Sequence, residues 1–260
     1  MPGPSTEVTA CHTIRAMPIN RALSMRAVRH PESWIELDQA HRVPLPYLPT
    51  YSGFGERIDD GHRALAAAPV KGPLIDLGIP GWLRIEDALK LYELAYFCVG
   101  DILELGTHQG LSTYIMASAL ASSGKNNSIT TVDLDPAASN TAKRNLVEER
   151  DLGRFVNFIV AEGSAVLGDL TSQKRQFGMA FVDHSHTYEA VERTCHYLPQ
   201  LISPGGFVAF HDFVDARNTR RKHVGDVNDE YGIYSAVEDA LGAEFEFYGC
   251  YGCCGVFRRT

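Results

Sequence analysis

Asp101-Ile-Leu-Glu-Leu-Gly-Thr-His-Gln-Gly-Leu-Ser-Thr113 reads as a strand that empties into a glycine-flanked turn and then opens a helix. Ile102, Leu103 and Leu105 form a short apolar run bounded by Gly100 and Gly106, the pattern of a parallel strand covered on both faces. Gly106 and Gly110 bracket the turn, where a backbone without Cβ lets a ligand come close. Thr107 and Ser112 add hydroxyls beside a helix N-terminus, whose free N–H groups and dipole favour a carboxylate or phosphate. The dinucleotide fingerprint needs G-x-G-x-x-G, but His108 stands where the middle glycine would fall, which argues against NAD. Glu104, inside the strand, suits a ligand carrying an ammonium group better than one carrying a pyrophosphate.

Working outward, a second apolar strand, Ile129 to Val132, ends in Asp133. A carboxylate at that strand tip can accept both hydroxyls of a ribose. Asp135-Pro136 reads as the N-cap and first residue of the next helix. A helix over 84–99 places Leu89, Tyr92, Ala95, Tyr96 and Val99 on one face. Strands near 101–105, 129–133, 156–161, 178–183 and 206–211 alternate with helical stretches, the pattern of a doubly wound α/β sheet. Beyond a helix around Tyr234 to Leu241, Phe245–Tyr248 and Gly255–Arg258 predict a terminal antiparallel hairpin, which completes seven strands.

The chain has 260 residues, 45% of them hydrophobic, enough for one sizeable α/β core. Its net charge of −8 argues against a nucleic-acid partner, since phosphate neutralisation needs a basic face. No apolar run approaches the roughly eighteen residues of a membrane span, and no secretory core is present, so a cytoplasmic protein is expected. Residues 1–80 read as an N-terminal extension, a lid or dimerisation segment, ahead of a domain over 81–260; a homo-oligomer is expected. The first thirty residues carry Arg15, Arg21, Arg26 and Arg29 and few acids, superficially like a transit peptide, and read as a solvated basic segment or lid. Prolines and glycines in 41–80 predict irregular covering structure. The six cysteines are neither dense nor regular. Cys250-x-x-Cys253-Cys254 lacks the second pair of a four-ligand metal site, so the cysteines read as structural thiols in a reducing compartment.

Glu104-x-Gly106-x-x-x-Gly110, followed by Thr131-Val-Asp133-Leu-Asp-Pro136, resembles the class I S-adenosylmethionine (SAM) dependent methyltransferases. Glu104 to Thr113 is most similar to a small-molecule O-methyltransferase branch that includes catechol and macrolide-sugar enzymes. Gly81-Trp82 to Tyr92, Phe181 to Tyr188 and Pro204 to Asp212 add to the likeness, which spans about 80–260. The resemblance implies a Rossmann-like sheet, a SAM seat formed by Glu104, Gly106, Thr107, Gly110, Ser112 and Asp133, and adenine contacts near Gly163 and Ser164. A loop serine such as Ser164 is also an ordinary turn former.

Asp183 and Asp212 end the fourth and fifth strands. Two neighbouring carboxylates repel unless something positive lies between them, and a divalent cation is an economical answer; the resemblance favours Mg²⁺. The alternative is a metal-free Asp183 with Asp212 capping its loop. Family members follow the second aspartate with Asn or Asp, whereas this chain has Phe213, so His211, His184, Asp215 or water would have to compensate. Where the catechol branch carries lysine three residues after the first metal aspartate, this chain has His186, a candidate general base. The expected activity is methyl transfer from SAM to a hydroxyl of a small-molecule acceptor. Metal-independent N- or O-methylation and a non-catalytic SAM-binding partner remain the alternatives. Arg217, Arg220, Arg221, Lys222 and His223 form a charge run that either steers an acidic acceptor or is simply solvated, and Tyr47, Tyr51, Phe54 and Trp82 are candidate aromatic pocket residues.

Overall fold

A computed structural model describes residues 57–219 and 230–260. Arg15, Arg21, Arg26 and Arg29, the aromatics Tyr47, Tyr51 and Phe54, and Arg220 to His223 lie outside the described residues. Helix α1 (Asp60–Ala66) is capped by Asp59, whose side chain accepts from the His62 amide. A small hairpin, β1 (Val70–Lys71) with β2 (Leu74–Ile75), follows. The proline and glycine content of 41–80 predicts irregular structure, yet these two elements form because Leu65 and Ile75 supply apolar anchors to the core.

Helix α2 (Ile85–Phe97) leads into β3 (Ile102–Leu105), α3 (Leu111–Ser123), β4 (Ile129–Asp133) and α4 (Pro136–Lys143). Asp135 caps α4 by accepting from Ala137 N, with Pro136 in the first turn. Next come β5 (Val156–Val160), α5 (Gly163–Ser172), β6 (Phe177–Val182), α6 (Tyr188–Leu201), β7 (Ile202–Phe210), α7 (Ile233–Ala240), β8 (Phe245–Tyr251) and β9 (Cys254–Arg259). The main sheet has seven strands in the order β5-β4-β3-β6-β7-β9-β8. Strands β3 to β7 pair in parallel, and β9 runs antiparallel between β7 and β8.

Alternation along the strands divides the core in two. Ile102, Ile129, Met179, Phe181 and Ala209 pack on one side with α2 and α3. Leu103, Leu105, Val132, Ala180, Val182 and Phe210 pack on the other with α5, α6 and α7. Both faces are therefore covered, which is why the central strands are almost wholly apolar. Backbone hydrogen bonds carry the ladder past the strand ends: Gly106 N to Val132 O, Asp183 N to Leu105 O and His211 N to Val182 O. These bonds align Asp133, Gly106, Asp183 and His211 along the carboxyl edge of the sheet, where ligands of doubly wound folds bind. No helix among the described residues is long and apolar enough to cross a membrane.

Candidate active site

The first turn is shaped by what cannot fit there. A Cβ on Gly106, at φ +100°, would lie 1.9 Å from the Asp183 carbonyl oxygen. Gly110 caps α3 at φ +91°, and a Cβ there would meet Leu146 at 2.5 Å. His108, between them, also takes a left-handed conformation at φ +44°, a position that His tolerates better than most side chains. Its amide donates to Asp133 Oδ2 at 2.7 Å, while Asp133 Oδ1 accepts from the Asp135 amide at 2.8 Å. The carboxylate at the tip of β4 is thus fixed by two backbone donors, with acceptor capacity left for a ligand.

A cavity of about 440 Å³ opens beside these groups, within the range of small-ligand sites. Its wall includes Gly106, His108, Asp133, Gly163, Ser164 and Asp183. Among the sequence candidates, Glu104, Thr107, Gly110 and Ser112 do not line it. Strand alternation turns Glu104 toward α3, where its carboxylate accepts from Ser112 Oγ at 2.6 Å and Thr113 Oγ1 at 2.5 Å. Burial pushes the Glu104 carboxyl up to about 7, against the pull of those hydroxyls. Thr107 bonds Thr131 side chain to side chain at 2.5 Å. These residues build the floor of the turn, and Arg193 of α6, not anticipated from sequence, joins the cavity wall.

Asp183 also borders a polar cluster at the ends of β6 and β7. One ligand atom each from Asp183, His186 and Asp212 lies within 4.8 Å of the others. His186 Nε2 is 3.5 Å from Asp212 Oδ2 and 3.8 Å from Asp183 Oδ1. Its ring stacks on Tyr231 with centroids 4.2 Å apart, and the Arg217 guanidinium sits 4.1 Å over the same tyrosine. Arg217 is held by Asp215 through Nε at 2.8 Å and Nη2 at 3.0 Å, so part of its charge is already neutralised. Asp212 sits at φ +53°, which aims its carboxylate back toward the cluster.

An imidazole lies beside the two carboxylates. His211 Nδ1 is 3.1 Å from Asp183 Oδ1 and 3.6 Å from Asp212 Oδ2. Burial alone would lower the His211 pKa, but Asp183 foremost among its neighbours raises it well above the ordinary value. Burial works against ionising Asp183 as well; the charges and hydrogen bonds of His211 and His186 together outweigh it and hold that carboxyl well below its usual range. Burial pushes the Asp212 carboxyl up, with His211 pulling the other way. His184 turns away to Thr194 Oγ1 at 2.9 Å, and burial lowers its pKa to about 4. Phe213 is 2% exposed and packs edge-on to Phe257. Among the described residues, the ligand atom grouped with those of Asp183 and Asp212 is that of His186, an imidazole in place of an oxygen. Such a mixed set suits Mn²⁺ or Fe²⁺ as well as Mg²⁺.

Residues 103–213, from β3 to the turn after β7, match the family model described as a methyltransferase domain. That segment is a methyltransferase domain. Among curated proteins none matches the chain in sequence. The chain is similar in fold to the O-methyltransferase from Bacillus cereus solved in complex with SAH, at 17% identity and TM-score 0.57, over 89% of this chain and 100% of that one. It is similar also to the O-methyltransferase TomG from Streptomyces achromogenes, involved in tomaymycin synthesis and solved with SAM, at 19% identity and TM-score 0.53, over 90% of this chain and 100% of that one. At these identities the likeness is one of fold.

Proposed function

We propose that this methyltransferase passes the methyl group of SAM to a hydroxyl oxygen of a small molecule, with His186 as proton acceptor. The observation that carries the reading is continuity: Asp183 lines the cavity beside the glycine turn and belongs to the Asp183–His186–Asp212 cluster. SAM in that cavity would place its ribose on Asp133, with Gly106 giving close backbone approach and Gly163 and Ser164 flanking the base. The acceptor would lie over the cluster, against Tyr231. His186 takes the acceptor proton at Nε2, and Asp212 and Asp183 stabilise the imidazolium that results. The oxygen then attacks the methyl carbon in line as the carbon–sulfur bond breaks, leaving the demethylated cofactor. Positioning of the two reactants in one site supplies several kcal/mol of the acceleration.

The donor set fits a divalent cation, which Asp183 and Asp212 would hold; it would supply positive charge to an acceptor oxygen as its proton leaves. A second, metal-free reading is favoured by His211, whose Nδ1 lies 3.1 Å from Asp183 Oδ1 and 3.6 Å from Asp212 Oδ2. Turnover of a panel of phenols, sugars and hydroxy acids with methyl-labelled SAM, before and after chelation, separates the two. Loss on chelation with recovery on Mg²⁺ or Mn²⁺ supports the cation, and unchanged turnover supports His211 alone. For the base, His186→Ala is expected to lower kcat by about 10²- to 10⁴-fold with SAM affinity unchanged. A panel turned over equally by wild type and variant contradicts the role given to His186.

A further inference from the structure

The tip of the β8–β9 hairpin carries Cys253 and Cys254, and the fold presses it against two residues distant in sequence. Asp87 comes from the first turn of α2, and His211 from the end of β7. His211 Nε2 lies 3.2 Å from Cys253 Sγ and 3.9 Å from Asp87 Oδ2. Cys253 Sγ lies 3.5 Å from Asp87 Oδ2. Cys254 forms a further group with Asp87 and His211, one ligand atom from each within 4.8 Å of the others. All four residues are buried, with exposures of 0% for Asp87, 4% for His211, 3% for Cys253 and 1% for Cys254.

We propose that Asp87, His211, Cys253 and Cys254 form a closed site for one thiophilic divalent cation, Zn²⁺ being the best match to this donor set. Two thiols, an imidazole and a carboxylate are the donors that zinc takes in four-coordinate sites. With Zn–S near 2.3 Å and Zn–N or Zn–O near 2.0–2.2 Å, tetrahedral ligand atoms stand roughly 3.3–3.8 Å apart. The three separations above, 3.2, 3.5 and 3.9 Å, fall around that spacing. A cation bound here displaces the two thiol protons to solvent.

Two further features suit ligation. Metal-bound histidines usually donate their other ring N–H to a carboxylate or carbonyl, and His211 Nδ1 is 3.1 Å from Asp183 Oδ1. That bond turns Nε2 toward the thiols. Asp87 is likewise held from behind: Oδ2 accepts from Arg84 N at 2.8 Å and Oδ1 from Cys253 N at 2.8 Å. The hairpin wraps this carboxylate closely, because a Cβ at Gly252, at φ +61°, would lie 2.2 Å from Asp87 Oδ1. The site would staple α2, β7 and the terminal hairpin together, and through His211 it would fix the orientation of Asp183.

The test uses the full chain, purified and dialysed against EDTA, with metal content measured by plasma mass spectrometry. A parallel preparation from cobalt-supplemented medium is examined by absorption spectroscopy. The proposal expects equimolar zinc that survives dialysis, persists in the D183N/D212N variant, and is replaced in the cobalt preparation with a thiolate-to-metal charge-transfer band. Cys253→Ser abolishes that band; should this variant fail to fold, the wild-type metal content and spectrum decide alone. Protein with no retained metal and no thiolate band holds hydrogen-bonded thiols only, and overturns the proposal. So does retained metal that disappears in D183N/D212N and gives no such band, since it then belongs to the cavity cluster.

Discussion

Gly106 shows how tightly single residues set this site. Its left-handed φ and the 1.9 Å clash that a Cβ would make with Asp183 O exclude side chains. Gly106→Ala is expected to cost about 3 kcal/mol or more, read as a lower denaturation midpoint. An unchanged midpoint would mean that β3 and β6 end farther apart than described. Glu104 gives a pH signature. Its carboxyl sits at about 7 in the fold against an ordinary 4.5, so the folded state holds the proton more tightly than the unfolded chain. The resulting stability is full below 4.5, falls as pH rises between 4.5 and 7, and is gone above 7. The change is on the order of 3 kcal/mol. Glu104→Gln keeps the neutral form at every pH, so it should melt above wild type in alkaline buffer and level with it in acid. A melting difference independent of pH would contradict this. Asp133→Ala removes the acceptor proposed for the ribose and should weaken SAM binding by about tenfold to a hundredfold, as for other hydrogen bonds to charged groups; unaltered affinity would place the ribose elsewhere.

Among the elements, the end of β7 departs from the pattern that the resemblance implies. Phe213 stands where the resemblance expects an oxygen donor, and the structure puts its ring in the core beside Phe257 and Tyr234. A Cβ on Gly255 would touch that ring at 2.4 Å, so β9 is built around it. Phe213→Asn is therefore expected to destabilise the protein by about 3–5 kcal/mol and to leave any metal dependence of turnover unimproved. A stable variant with stronger metal dependence would show that the position still faces the site. Here too lies the limit of what sequence could reveal. The apolar runs of β3 to β7 and the terminal hairpin were legible because covered strands leave a plain pattern, and Asp133 and Asp183 were legible because they end those strands. The direction of Glu104 depends on strand alternation, which also set Ser112 and Thr113 against it as donors. The place of His211 between Asp183 and Asp212, and the meeting of Asp87 with Cys253, depend on contacts between residues 28 and 166 positions apart. No local spacing records such contacts.

For the whole molecule, one sheet edge organises everything: the turn at Gly106, the carboxylate at Asp133 and the cluster at Asp183 are neighbours because β4, β3, β6 and β7 are adjacent and parallel. The −8 net charge does not prevent an anionic ligand end from binding, because the amides at the start of α3 present local positive charge. The central claim is that this edge is a SAM seat feeding a proton-accepting cluster. Its most direct test is calorimetric titration of the full chain with SAM, with SAH and with NADH. The account expects saturable binding of SAM and SAH at one site per chain, weakened by Asp133→Ala and untouched by His186→Ala, with no heat from NADH. No binding of SAM or SAH, together with tight binding of NADH, would contradict it.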